Sequence, residues 1–196
     1  MSPSTEAGNR TREAILERAV NLASVEGLEA LTIGRLATEL RMSKSTLFSP
    51  FGSKQGLQLA TLERANTVFR REVVEPAGAA EPGLARLRAL IEAYLGYLER
   101  EVFPGGCFLS AAAAEFDGRP GPVRDAIASA SRAWGSALRE QAEIASERGE
   151  LPRDTDPSQL VFELGAFATR ANALYQLDHD RHAFEHARAA IARSLR

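Results

Sequence analysis

Several kinds of protein are excluded by what this sequence lacks. One cysteine in 196 residues, Cys107, leaves no internal disulfide, which fits a reducing cytoplasm better than a secreted setting. No apolar run approaches the roughly 18 residues that would cross a bilayer. The opening M-S-P-S-T-E-A-G-N-R has no apolar core of a secretory signal, so the expectation is a cytoplasmic chain without membrane attachment. Strand-favouring residues are sparse, lysine is nearly absent, and there is neither an internal repeat nor a low-complexity tract. No G-x-S-x-G, P-loop or G-x-G-x-x-G occurs, which removes the common phosphate and nucleophile motifs. Nor is there a bulk excess of positive charge. The formal net charge is −2, so overall electrostatics would not hold nucleic acid.

What is present is ordinary for a globular helical protein: 44% hydrophobic and 26% charged residues, rich in Ala, Arg, Glu and Leu. Charge is distributed unevenly. Residues 1–54 carry seven Lys or Arg and six Asp or Glu, a net +1, leaving 17 basic and 20 acidic residues, a net −3, for the rest. Any contact with DNA would therefore be local, and Arg35, Arg41, Lys44 and Lys54 cluster in one stretch.

That stretch, Thr32 to Phe51, organises the chain. Ile33, Leu36, Ala37 and Leu40 recur at i, i+3, i+4 and i+7, one apolar stripe on a short helix. Thr32 precedes it as a capping residue. Arg41 and Met42 leave room only for a tight turn, and Ser43 caps a second helix whose first turn is Lys44-Ser45-Thr46. Two short helices, a tight turn, and small polar and basic residues opening the second describe a helix-turn-helix, whose second helix meets base edges in the major groove. The same pattern also suits an ordinary helical corner.

The surrounding sequence separates the two. T-R-E-A-I-L-E-R-A-V-N-L-A-S-V-E-G, then L-E-A-L-T-I-G-R-L-A-T-E-L, M-S-K-S-T-L-F and F-G-S-K-Q-G-L follow one another in register. Arg10 to Leu57 thus resembles the N-terminal domain of TetR-type transcriptional regulators; the remainder is similar only in its helical layout. The resemblance implies an all-α fold of about nine helices, with a three-helix DNA-binding domain over 1–54 (helix-turn-helix about 32–51) and a ligand-binding and dimerisation domain over 55–196. Lys44, Ser45 and Thr46 would face the groove, Leu47 and Phe48 would give apolar contact or packing, and Thr32, Arg41, Ser43 and Lys54 would position phosphates. Phe48 stands where that family usually has tyrosine, Pro50 where histidine is common, and Gly56 replaces the usual acidic residue after the capping Ser53.

Elsewhere, residues 1–9 read as disordered, with Arg10 and Arg12 as an arm. Thr11 caps a helix to about Val25 that Gly27 ends. Ser53 caps a long link helix that fades before Pro76. Five helices follow. The segment Cys107–Phe116 is apolar on every side and is expected to be buried. Two apolar seams close the chain: Leu160, Leu164, Phe167, Ala171 and Leu174, then Phe184, Ile191 and Leu195. They suit either packing within one chain or a bundle between two. The resemblance favours a homodimer. Phe69, Tyr94, Phe103, Phe108, Phe116, Trp134, Phe162 and Tyr175, with Gln141 and Asn172 as polar groups, are expected to line a site for a small apolar or aromatic effector, though aromatics equally fill cores.

His182 to His186 matches H-x-x-E-H, the inverzincin zinc pattern. Only ten residues follow it to supply a further ligand, so no metal, no cofactor and no catalysis are expected. Cys107 has no nearby base in sequence and reads as a core residue. The expected function is a ligand-responsive dimeric repressor acting on a double-stranded operator. The rival is a helical small-molecule binder without specific DNA recognition.

Overall fold

The computed structural model describes residues 3–196, with side chains from Thr11 onward, and the regular structure of these residues is entirely helical. In order, the helices are α1 (Pro3–Glu26), α2 (Ile33–Leu40), α3 (Lys44–Phe51), α4 (Lys54–Phe69), the short α5 (Glu75–Ala77), α6 (Leu84–Glu99), α7 (Phe108–Phe116), α8 (Pro122–Glu147), α9 (Pro157–Asp178) and α10 (His182–Ser194). A π-turned segment, Arg70–Val74, joins α4 to α5. Pro76, which has no N–H to donate, ends the regular ladder there.

The chain forms two compact units that do not follow a boundary at residue 54. One holds the chain up to Thr67 together with Phe103–Ser129; the other holds Val68–Val102 and Ala130–Arg196. In the first unit, α1 presents Ile15, Leu16, Ala19, Val20 and Ala23, all at most 3% exposed, a 3.6-residue stripe that drives the helix onto its neighbours. The helix starts at Pro3, so Thr11 lies inside it and not at its N-cap. Met1 and Ser2 fall outside the described residues, and the expected disorder up to residue 9 gives way to helix from Pro3. Nor is Arg12 an arm: its guanidinium lies 5.6 Å from the centre of the Phe51 ring.

α7 belongs to this unit because its carboxylate at Glu115 closes the turn between α1 and α2. Leu28 N–H and Glu29 N–H both donate to it, at 2.8 and 3.1 Å. Gly27 begins that turn at φ +91°, and a Cβ there would press on the same carboxylate, so both the left-handed backbone and the close approach require glycine. α7 buries only one face, through Phe108, Ala112 and Phe116, while Ala111 and Ala114 are exposed. The all-round burial expected from its composition is not found, since alanine leaves little apolar surface to hide.

In the second unit, α6 buries Leu87, Leu90, Ile91, Tyr94, Leu95, Tyr97 and Leu98, and α9 and α10 pack along each other and against α6. Asp156 caps α9, accepting from Ser158 N–H at 2.8 Å, with Pro157 in the first turn as its fixed φ allows. Arg188 of α10 forks onto two carboxylates of α6, Glu99 at 2.7 Å and Glu92 at 2.8 Å. The Glu99 carboxylate is held below its ordinary pKa, chiefly by that guanidinium.

Candidate nucleic-acid interface

α2 and α3 are built from caps. Thr32 adopts an extended backbone and its hydroxyl accepts from Arg35 N–H at 3.0 Å, satisfying an orphan donor of the first turn. Ser43 does the same for α3, accepting from Thr46 N–H at 3.2 Å, and its Oγ also lies 2.9 and 2.7 Å from the hydroxyls of Ser45 and Thr46. Between them Arg41 takes the left-handed conformation at φ 53° as the C-cap of α2. Its geometry belongs to the tight turn, and its side chain is exposed.

Two residues fix the rotation of α3. Leu47 is fully buried and Phe51 is 9% exposed, so Lys44, Ser45, Thr46, Phe48, Ser49 and Pro50 point outward. Of the two roles expected of Leu47, apolar contact or packing, its burial gives packing: it anchors the helix from beneath. Phe48, by contrast, is on the outer face.

The next helix approaches closely. Ser53 Oγ accepts from Gly56 N–H at 2.9 Å, and a Cβ at Gly56 would collide with the Phe51 carbonyl oxygen. This explains why the acidic residue of a capping box is missing: no side chain fits. Lys54, expected at a phosphate, instead pairs with Glu29 at 2.7 Å. That ammonium is the first reason Glu29 is held below its ordinary carboxylate pKa, with Gln58 and Arg119 adding to it against partial desolvation. Arg35 is likewise occupied, bonding Glu26 at 2.9 Å and Glu39 at 3.2 Å, and Arg18 meets Glu39 at 2.7 Å. Among the described residues, Arg41 and Lys44 carry no ion pair. The chain's two lysines, Lys44 and Lys54, both stand in this region.

The expected effector residues fall in both units. Phe69, Tyr94 and Trp134 do meet, with ring centres 5.1–5.8 Å apart edge to face, and Tyr97 joins them 5.6 Å from Phe69. Phe103 and Phe108 pair at 5.9 Å in the other unit, where Phe116 is also buried. Tyr175 packs on Phe184 at 5.3 Å. Gln141 is buried, but its amide oxygen accepts from Gly83 N–H at 3.1 Å, so it secures the loop before α6. Phe162 is 71% exposed and lines no core. Asn172 is half-buried on α9.

The expected dimer seam is also redistributed. Leu160, Leu164, Ala171, Phe184, Ile191 and Leu195 are at most 6% exposed within the single chain, where they form the seam that holds α9 and α10 in their own unit. Phe167 and Leu174 stay half-buried, and the strongly exposed apolar residues of α9 are Phe162 and Leu177.

Residues 15–61 match the family model "Bacterial regulatory proteins, tetR family". Residues 83–191, more than half of the chain, match "Tetracyclin repressor-like, C-terminal domain". The chain belongs to the TetR family. Its fold is that of solved family members. A TetR transcriptional regulator from Chloroflexus aurantiacus is 23% identical with a TM-score of 0.87, covering 96% of this chain and 95% of that one. A TetR-family regulator from Streptomyces coelicolor is 24% identical at 0.80, covering 100% and 95%. The regulator AibR, solved with isovaleryl coenzyme A and operator DNA, is 21% identical at 0.76, covering 93% and 96%. No curated protein matches the sequence significantly.

As a TetR-family chain the protein is a DNA-binding transcriptional regulator and not an enzyme. No helix of the described residues is long and apolar enough to cross a membrane. The H-x-x-E-H residues sit on an exposed helix start: Asp180 accepts from His182 N–H at 2.9 Å, and His182 Nδ1 lies 3.0 Å from Glu185, which raises the imidazole pKa. Glu29 and Tyr97 carry no signal in the sequence, and Glu115 reads there only as a turn or capping residue. The acceptor role of Glu115 spans more than 80 residues of chain, and no local pattern announces a bond at that separation.

Proposed function

We propose that this TetR-family regulator is a cytoplasmic homodimeric repressor that reads a pseudo-palindromic operator and releases it on binding a small apolar or aromatic effector. The observation that carries the proposal is the outward face of α3, where Lys44, Ser45 and Thr46 open a helix whose cap and buried Leu47 fix its rotation. Side chains so placed suit base edges in a major groove. Arg41, Ser43 and Lys54, at the rim, suit phosphates, and Thr32 holds the helix before them.

A single head of low net charge offers few contacts, and two heads on one duplex multiply them. Exposed Phe162 and Leu177, half-buried Phe167 and Leu174, and a groove of about 140 Å3 between α9 and α10 beside Arg170 and His186 supply the apolar surface for a second copy. Phe69, Tyr94, Tyr97 and Trp134 supply the apolar surroundings for an effector. AibR was solved with both an acyl-coenzyme A and operator DNA, and the same economy is proposed here without its particular ligand. α4 starts at Lys54 and ends at Phe69, so one helix carries a candidate phosphate contact and a ring of that cluster. The effector must favour the released form by about 3 kcal/mol to weaken DNA binding roughly a hundredfold.

The test is selection of bound duplexes from a random pool, followed by gel-shift and light scattering. An enriched inverted repeat bound by a dimer supports the proposal; no enriched sequence, or a monomer at micromolar concentration, refutes it. Apolar compounds that raise the melting temperature or alter Trp134 fluorescence are then added to the gel-shift.

A further inference from the structure

Phe48 is 54% exposed, and no ring or cation contact joins it to another of the described residues. It occupies the outer surface of α3 among Lys44, Ser45, Thr46 and Ser49, all exposed. Its rotation is not free to change, because Leu47 on one side of it and Phe51, three residues on, are both buried. The ring therefore sits one helical turn beyond Lys44 and on the same edge of α3. An exposed phenyl group is unfavourable in water and has no atom that hydrogen-bonds a phosphate or a base edge. The major groove offers one apolar feature on its base edges, the C5-methyl of thymine, and an aromatic ring is among the groups that contact it.

Resting on the reading of α3 as the groove helix, we infer that Phe48 is a specificity-determining residue that selects thymine through its C5-methyl, beside the polar contacts of Lys44 and Ser45. The polar residues distinguish hydrogen-bonding patterns; Phe48 distinguishes thymine from a base that presents the same acceptor without the methyl.

The experiment replaces thymines of the selected duplex one at a time with deoxyuridine, which deletes the methyl and keeps the base pair. At one thymine in each half-site the wild-type protein should lose about fourfold in affinity, the worth of one buried methyl-sized group. Phe48→Ala should be indifferent to that replacement, and Phe48→Leu, still apolar, should keep part of the penalty. Because the ring is exposed, both variants should melt at the wild-type temperature. If Phe48→Ala binds too weakly to measure, the wild-type and Phe48→Leu profiles decide. Indifference of the wild type to deoxyuridine at every thymine overturns the inference, as does an unchanged penalty in Phe48→Ala, while DNA binding itself still stands. A pool from which no duplex is enriched overturns the DNA-binding reading first and the inference with it.

Discussion

α3 is eight residues long and is capped by Ser43; α9 is 22 residues long and is capped by Asp156. Both start with a side-chain oxygen on a first-turn N–H, at 3.2 and 2.8 Å. Beyond the cap they differ. α3 buries two residues, Leu47 and Phe51, whereas α9 buries Leu160, Leu164, Ala168, Ala171 and Tyr175. A helix of α3's length is unstable in isolation, so its position depends on few groups, each of which the sequence states in full. α9 depends on an extended seam in which each residue contributes a share. The short helix presents function because it has almost no buried surface to spare, and the long one supplies rigidity.

The largest effect separates these two kinds of support. Leu47→Ala deletes a fully buried side chain and should cost about 2–5 kcal/mol of unfolding free energy. Leu164→Ala, equally buried in the second unit, should cost a similar amount. The variants should part in the gel-shift: at a temperature where both are folded, Leu47→Ala loses operator binding and Leu164→Ala keeps it. Urea unfolding followed by tryptophan fluorescence and by circular dichroism measures the first quantity. Wild-type stability with altered sequence preference in Leu47→Ala would return that residue to the groove.

This contrast also explains what the sequence made legible. The elements of the reading head were visible because caps, turn and stripe lie within twenty consecutive residues, and Thr32, Ser43 and Ser53 all cap as their positions suggest. Four of the five later helices were visible from their apolar periods, and α7 from its uniformly apolar composition. Which partner each stripe meets was not, because an apolar side chain reports that it is buried and not against what. Leu160, Leu164 and Ile191 thus read equally well as a seam within one chain or between two. Leu47 stayed open between contact and packing for a related reason: in an eight-residue helix, one residue's rotation decides between groove and core, and the burial of Leu47 and Phe51 settles it. The Lys54–Glu29 pair joins residues 25 apart, and Glu115 reaches back 87, beyond any local pattern.

The next effect compares two side chains that hold loops. Glu115 accepts from Leu28 and Glu29 in the first unit, and Gln141 accepts from Gly83 in the second. Glu115→Ala orphans two part-buried donors and Gln141→Ala one buried donor, at about 1–3 kcal/mol for each group left unpaired. For a chain of this size each kcal/mol lowers the melting temperature by roughly 2–4 °C. Calorimetry should show the larger drop for Glu115→Ala, with Glu115→Gln recovering part of it. Equal melting curves for Glu115→Ala and wild type would remove α7 from the support of the reading head.

Smaller still is the loss of a cap. Ser43→Ala and Asp156→Ala should each cost about 1 kcal/mol, but their consequences for DNA should differ. Without Ser43 the first turn of α3 frays, and that turn carries Lys44, Ser45 and Thr46. Operator affinity should fall in Ser43→Ala and stay unchanged in Asp156→Ala when both are measured well below their melting temperatures. A loss of the same size in both variants would mean that the cap acts only through global stability.

The smallest effect concerns charge, and its sign is opposite. Lys54 meets Glu29 at 2.7 Å with both side chains more than a third exposed, so the pair is weak, as exposed pairs are. A phosphate that takes Lys54 must nonetheless displace that carboxylate. Glu29→Gln removes the competitor and should raise operator affinity by a few-fold with little change in melting temperature. Lys54→Ala should lower affinity for all duplexes alike and reduce the salt slope by about 1. The double variant is decisive: if Glu29 acts through Lys54, adding Glu29→Gln to Lys54→Ala gains nothing. Acid should imitate the substitution. Lys54 holds the Glu29 pKa below its ordinary value, so the pair is intact at neutral pH and is lost only as pH falls through that lowered value. A gain in affinity from Glu29→Gln that survives in the Lys54→Ala background would show that Glu29 repels the duplex directly instead of withholding the lysine.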